Sequence, residues 1–190
     1  MYAFRKPFTA AGFDSLTVAG IKYKDALIIA QLLGYTLSKF AGIKIIGELK
    51  NRHRGRNILL LIAIATVSLL LFAIVPAPYN IVLLVINGIP LGLVWGIVFS
   101  FLEGRRATEF MGSVMAVSFI FSSGFVKSVG KWLMLEQGIS QWWMPLATGA
   151  VFIVPMLLFV YLLEQVPPPT AEDISQRSER KPMNSTERRS

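Results

Sequence analysis

Arg5 is the residue in this chain whose chemistry is most specific. A guanidinium binds a carboxylate or phosphate through two parallel hydrogen bonds and keeps its charge at any physiological pH. It lies in a short apolar piece, Met1–Phe13. A charge at bilayer depth costs about 2.5–3.5 kcal/mol on insertion scales, so it is normally turned toward a cavity or a partner and marks function by default. Tyr2 falls about one helical turn before Arg5 and could offer its hydroxyl to the same ligand. Tyr35 and Lys39 are four residues apart, so on a helix they share a face and present a hydroxyl beside a cation. Lys127 and Lys131 have the same spacing, and Lys127 is the deeper of the two. For each cation the plain alternative is an interfacial side chain that snorkels its charged end to the surface. Arg5, Tyr2, Tyr35, Lys39 and Lys127 form the candidate substrate-binding set, and a small anionic solute is the ligand they suit.

Other chemistries lack their residues. The chain has no cysteine, which excludes disulfides and thiolate metal sites. Its one histidine, His53, sits in a basic stretch without metal-ligand partners and reads as a solvated loop residue. There is no Ser/His/Asp set, no phosphate-cradling glycine loop and no zinc-helix motif. The chain is therefore not read as an enzyme, and no cofactor or metal is expected. A proton relay needs a carboxylate within the membrane, and the acidic residues fall at helix ends or in loops.

The elements that must hold these residues are membrane spans. Of 190 residues, 54% are hydrophobic and 16% charged, and the mean hydropathy is +0.57. From Asn57 to Leu102 there is no charged residue at all. A bilayer core takes roughly 20 apolar residues as helix, so this run fits two spans. Pro76-Ala77-Pro78-Tyr79-Asn80 divides it, because proline ends helices and Asn favours turns. Ile58–Val75 and Ile81–Leu102 thus form a helical hairpin. Asp25–Gly47, Phe110–Leu135 and Trp142–Leu163 supply further spans, and Pro167-Pro168-Pro169 stops the last. Gly88, Gly92 and Gly96 recur every four residues, a small-residue stripe that lets a neighbouring helix approach closely.

A net charge of +8 could suggest nucleic acid, but its placement argues otherwise. The excess gathers in short connecting segments: Lys50, Arg52, Arg54 and Arg56, then Arg105 and Arg106, then the tail. By the positive-inside rule these segments are cytoplasmic, and Trp132, Trp142 and Trp143 form an interfacial belt at the outer face. The partner is a lipid bilayer, with no nucleic acid.

Five short strings, in order, carry a family resemblance. Tyr2-Ala3-Phe4-Arg5-Lys6-Pro7-Phe8 resembles the first-helix motif of the organophosphate:phosphate antiporters, a branch of the major facilitator superfamily. Gly34 to Phe40 resembles the branch's second-helix motif, and Gly88 to Trp95 its glycine-rich fourth helix. Thr108-Glu109-Phe110-Met111-Gly112 resembles the entry to the fifth helix, and Glu164-Gln165-Val166-Pro167 the exit from the sixth. The Arg-Lys-Pro-Phe wording is also similar to an uncharacterised bacterial group of facilitator-like membrane proteins. The resemblance implies an all-α integral membrane fold, the N-terminal six-helix repeat of a major facilitator, with its first helix truncated. On that reading residues 1–13 are the remnant of the first helix, 14–164 hold helices two to six, and 165–190 are a cytoplasmic disordered linker or tail. The chain departs from the branch near Ser100, where its fourth-helix Arg would fall, near Phe121, where its fifth-helix His would fall, and in the loop before Arg54-Gly55-Arg56. Those departures leave the solute at "anion" and nothing finer.

The resemblance implies a multi-pass transporter of the plasma (inner) membrane, working by alternating access, with Arg5 as the central-cavity substrate residue. Such sites lie between two repeats, so the expected partner is a missing C-terminal six-helix half, and the chain is expected to be a fragment. The rival from another class is a membrane-embedded sensor or scaffold that binds without transporting.

Overall fold

The computed structural model describes residues 1–13, 16–48, 54–102, 108–167 and 170, with backbone alone at 43–48. The basic residues Lys50, Arg52, His53, Arg105 and Arg106, the side chain of Lys44 and the tail from Ala171 lie outside the described residues. Six α-helices dominate the described residues: α1 (Tyr23–Glu48), α2 (Arg54–Ile74), α3 (Ile81–Leu102), α4 (Thr108–Leu135), α5 (Met144–Val151) and α6 (Ile153–Glu164). Among the described residues, α2, α3 and α4 are each long and apolar enough to cross a membrane, and α5 with α6 makes a fourth if that bent pair is one span. The sequence predicts five spans; the fifth, α1, stands outside this count.

The hairpin falls where the charge-free run and its proline-rich break put it. Asn80 is wholly buried at the turn. Its amide donates to the Phe72 carbonyl at 3.4 Å, and its carbonyl oxygen accepts from the Tyr23 hydroxyl. One side chain thus ties the end of α2, the turn and the start of α1. Helices α1 and α3 make the most extensive pair in the bundle. Gly34, Gly88 and Gly92 line their crossing. A Cβ on Gly34 would run into the Val85 carbonyl, one on Gly88 would stand 2.5 Å from the Gln31 carbonyl, and one on Gly92 would strike Ser38. These helices lie backbone to backbone because glycine leaves nothing between them.

Two segments differ from their sequence reading. Met1–Phe13 is not α-helical; it forms two 3-10 turns, Tyr2–Phe4 and Pro7–Ala10. The Lys6 amide still reaches the Tyr2 carbonyl at 2.9 Å, but Pro7 has no N–H to continue toward Ala3, so the ladder stops there. The segment is a buried plug, with Phe4 and Phe8 each 1% exposed. The span expected over Trp142–Leu163 is broken at Phe152, where α5 and α6 meet at 46°. Pro155 lies three residues on; it cannot bond the Val151 carbonyl, and its ring crowds that oxygen.

A β-hairpin, β1 (Thr17–Val18) with β2 (Ile21–Lys22), leads into α1. Ala19 and Gly20 at its tip both have positive φ, as a type I′ turn requires. Beside it, Trp142 packs against Phe13, Tyr23 and Phe72, with ring centroids 5.0–5.9 Å away. Trp142 therefore leaves the expected aromatic belt and turns into the bundle, while Trp132 and Trp143 are about half exposed.

Candidate functional site

Helix α4 stands on the flank of the bundle. Only 6% of its apolar stretch is buried, against 44% for α3. The space between α4 and the α1–α3 pair is an open cleft of about 940 Å³. Tyr35 and Lys39 line it from α1, Trp95 and Phe99 from α3, and Glu109, Ser113 and Phe119 from α4, with Tyr2 closing one side. The helical spacing of Tyr35 and Lys39 does place both on one face, and α3 answers with Trp95 and Phe99 at the same spacing.

The Lys39 ammonium lies 3.8 Å from the Trp95 ring centroid and 4.8 Å from that of Tyr35. Two aromatic faces hold the cation at about 0.5–2 kcal/mol each while leaving its three N–H donors available. Trp95 in turn stacks on Phe99, with centroids 5.3 Å apart and planes within 7°. Arg5 sits on the Tyr35 ring at 4.0 Å, but it is not among the residues that line the cleft. Its Nε is buried without a hydrogen-bond partner among the described residues. Tyr2 lines the cleft with its ring against Phe119, at 5.4 Å.

Lys127 takes another position from the one its spacing suggested. It is half-buried and off the cleft, and its charge acts on Lys6, which also feels Arg5; Arg5 in turn acts on Lys39. Arg5 and Lys39 share the Tyr35 ring, at 4.0 and 4.8 Å from its centroid, and Lys6 and Lys127 add positive charge nearby. Among the described residues no carboxylate forms an ion pair with any of the four. Like charges brought together in a partly buried space repel one another, and an anion bound among them would relieve that repulsion.

The family model that matches this chain covers residues 7–190. The chain belongs to DUF5690, a family of unknown function. Tyr35, Lys39 and Lys127 fall inside the match, and Tyr2 and Arg5 precede it. No curated protein and no solved structure matches the chain.

Sequence reasoning passed over the residues that position Arg5. Gln31 and Asn87 are 4% and 0% exposed. The Gln31 amide donates to the Arg5 carbonyl and to Asn87 Oδ1, both at 2.9 Å. Asn87 donates onward to the Ala65 carbonyl at 3.0 Å. One relay joins the N-terminal plug to α1, α3 and α2 through the core. The available signal was a lone amide in each of two apolar runs, since buried amides are kept only where they find partners. Trp95, Phe99 and Phe119 were equally open to inspection, but aromatic residues in an apolar span look like lipid-facing bulk until a cation is seen beside them.

Proposed function

We propose that this protein is a multi-pass membrane transporter that binds a small anionic solute in the α1–α3–α4 cleft and moves it by alternating access. The observation that carries the reading is that Arg5 and Lys39 both stand on the Tyr35 ring, at 4.0 and 4.8 Å from its centroid, with no described carboxylate paired to either and the buried Arg5 Nε lacking a partner. Intramembrane cations are expensive and are kept where they face a pathway or a ligand. The exposed flank of α4 supports a helix that swings against the rest of the bundle, because little packing has to be broken for it to move. The resemblance of five motifs to the organophosphate:phosphate branch of the major facilitator superfamily points the same way. On this reading the chain is the N-terminal six-helix repeat of such a fold, in the plasma (inner) membrane, with the loops after helices two and four and the tail cytoplasmic. Lys39 meets the anion, Tyr2 and Tyr35 offer hydroxyls, Arg5 raises the potential behind Tyr35, and Lys127 adds to it through Lys6.

The test is flux through proteoliposomes carrying the full-length protein, with both six-helix halves that this reading requires, and with labelled benzoate, inorganic phosphate and glycerol phosphate as trial solutes. Uptake of at least one, lost in both Arg5→Ala and Lys39→Gln, is the expected result. Binding without flux would make the protein a membrane-embedded sensor or scaffold. Absence of both binding and flux for every anion would overturn the anion site.

A further inference from the structure

The cleft is large for a simple inorganic anion and poorly furnished for one. Small-molecule sites of roughly 300–1,000 Å³ bury drug-sized ligands, using apolar walls and a few polar groups that fix orientation. This one, at about 940 Å³, lies at the top of that range. Its walls carry the rings of Tyr2, Tyr35, Trp95, Phe99 and Phe119. Of the charged side chains, Lys39 alone among the described cationic ones lines the space, and Glu109 lines it too, on the exposed first turn of α4. A sugar phosphate would find one ammonium, a carboxylate of its own sign and walls made mostly of ring faces, with only a few groups such as the Tyr2 and Tyr35 hydroxyls to meet its several hydroxyls.

We infer that the cleft selects a singly charged organic acid with a planar apolar body, against dianionic phosphate esters of the same body. The inference rests on the anion reading above and narrows it. The carboxylate end meets the Lys39 ammonium, whose free donors point from between the Trp95 and Tyr35 rings. The flat body packs against the aromatic residues that line the cleft, where a favourable ring pair is worth about 0.5–1.5 kcal/mol beyond burial. Glu109 sets the charge limit. Arg5, Lys6 and Lys127 do not line the cleft, so at its wall Lys39 balances one negative charge, whereas a second falls in the field of Glu109, and such like-charge repulsion is how a site rejects a near-isostere.

Three naphthalene probes of one shape separate the terms: 2-naphthoate, 2-naphthyl phosphate at pH 8, and neutral 2-naphthamide. Binding is measured by equilibrium dialysis on the purified protein in nanodiscs, with empty discs subtracted. The expected order places naphthoate about tenfold tighter than either of the others, a gap equal to about 1.4 kcal/mol. Lys39→Gln should abolish that gap over naphthamide, Lys39→Arg should keep it, and Glu109→Gln should bring naphthyl phosphate up toward naphthoate. If naphthyl phosphate binds as tightly as naphthoate, the selectivity inference is overturned while the anion site stands. If naphthamide binds as tightly as naphthoate, or no probe binds protein that is folded by circular dichroism, the anion site itself is overturned. Should Lys39→Gln fail to fold, the order of the three probes on the native protein decides alone.

Discussion

Tyr23 is the residue whose chemistry the bundle alters most plainly outside the spans. It opens α1, ahead of Asp25, and is 0% exposed. Burial pushes its phenol up from 10.0 to about 12, against a smaller downward pull from the hydrogen bond to Asn80. The sign follows directly. The fold favours the neutral phenol, so Tyr23 contributes stability that is fully present below about pH 10 and is lost as pH rises toward 12. A difference titration at the phenolate band, native protein minus Tyr23→Phe, should show one group ionising near 12. Ionisation near 10 would mean that the hydroxyl is solvated and that Asn80 does not hold it. The same scale shows the limit of reading side chains from sequence. Asn80 was readable as a turn former, and its place at the turn is correct. That its amide also bonds Phe72 and Tyr23 depends on three segments meeting, which no local pattern encodes. Arg5, by contrast, was singled out by its charge and by the motif resemblance around it. Its position under Tyr35, off the cleft wall, emerged only with the turns that Pro7 forces.

Among the helices, glycine decides how closely α1 and α3 pack. Gly→Ala in a helix interior gains about 1 kcal/mol from backbone entropy where there is room, and overpacking costs typically 1–3 kcal/mol where there is none. Gly124 in α4 has nothing within 4 Å of an added Cβ, and Gly34 has the Val85 backbone, which cannot step aside. Gly124→Ala should therefore raise the thermal midpoint in detergent slightly, and Gly34→Ala should lower it by several degrees. Equal effects would remove the close crossing as the reason for the glycines. Two elements were readable because their signals are physical absolutes: an uncharged run of two span lengths, and a proline pair that interrupts it. The α5–α6 break was equally present in the sequence as Pro155, yet apolar length outweighed it. A hydrophobic run records what lipid tolerates and is silent on whether the helix within it is straight.

For the molecule as a whole, the contacts sort the helix ends into two groups. At one end Arg54, opening α2, donates to the Ser100 carbonyl of α3 at 3.2 Å, and the Glu164 carboxylate at the end of α6 packs on Gly55. At the other, Tyr23 bonds Asn80, the Phe13 amide reaches Gln141 at 3.3 Å, and Trp142 meets Phe72. A chain that starts α2 at the first end, turns at Pro76–Asn80, returns along α3, crosses again in α4 and comes back through α5 and α6 accounts for both groups. Arg54 and Arg56 lie at the first end, in the opening turn of α2, and the turns bearing Tyr79 and Gln137 belong to the second. Because positive loops stay in the cytoplasm, the two ends should differ in accessibility. The chain has no cysteine, so single cysteines report cleanly. In intact cells a membrane-impermeant maleimide should label Tyr79→Cys and Gln137→Cys, and it should label Arg52→Cys and Val166→Cys only after the membrane is opened. Outside labelling of Arg52→Cys together with Tyr79→Cys would show that α2 does not cross. The reverse pattern, Arg52→Cys outside and Tyr79→Cys protected, would keep the spans and invert the protein, placing the Lys39 cleft on the opposite path across the membrane.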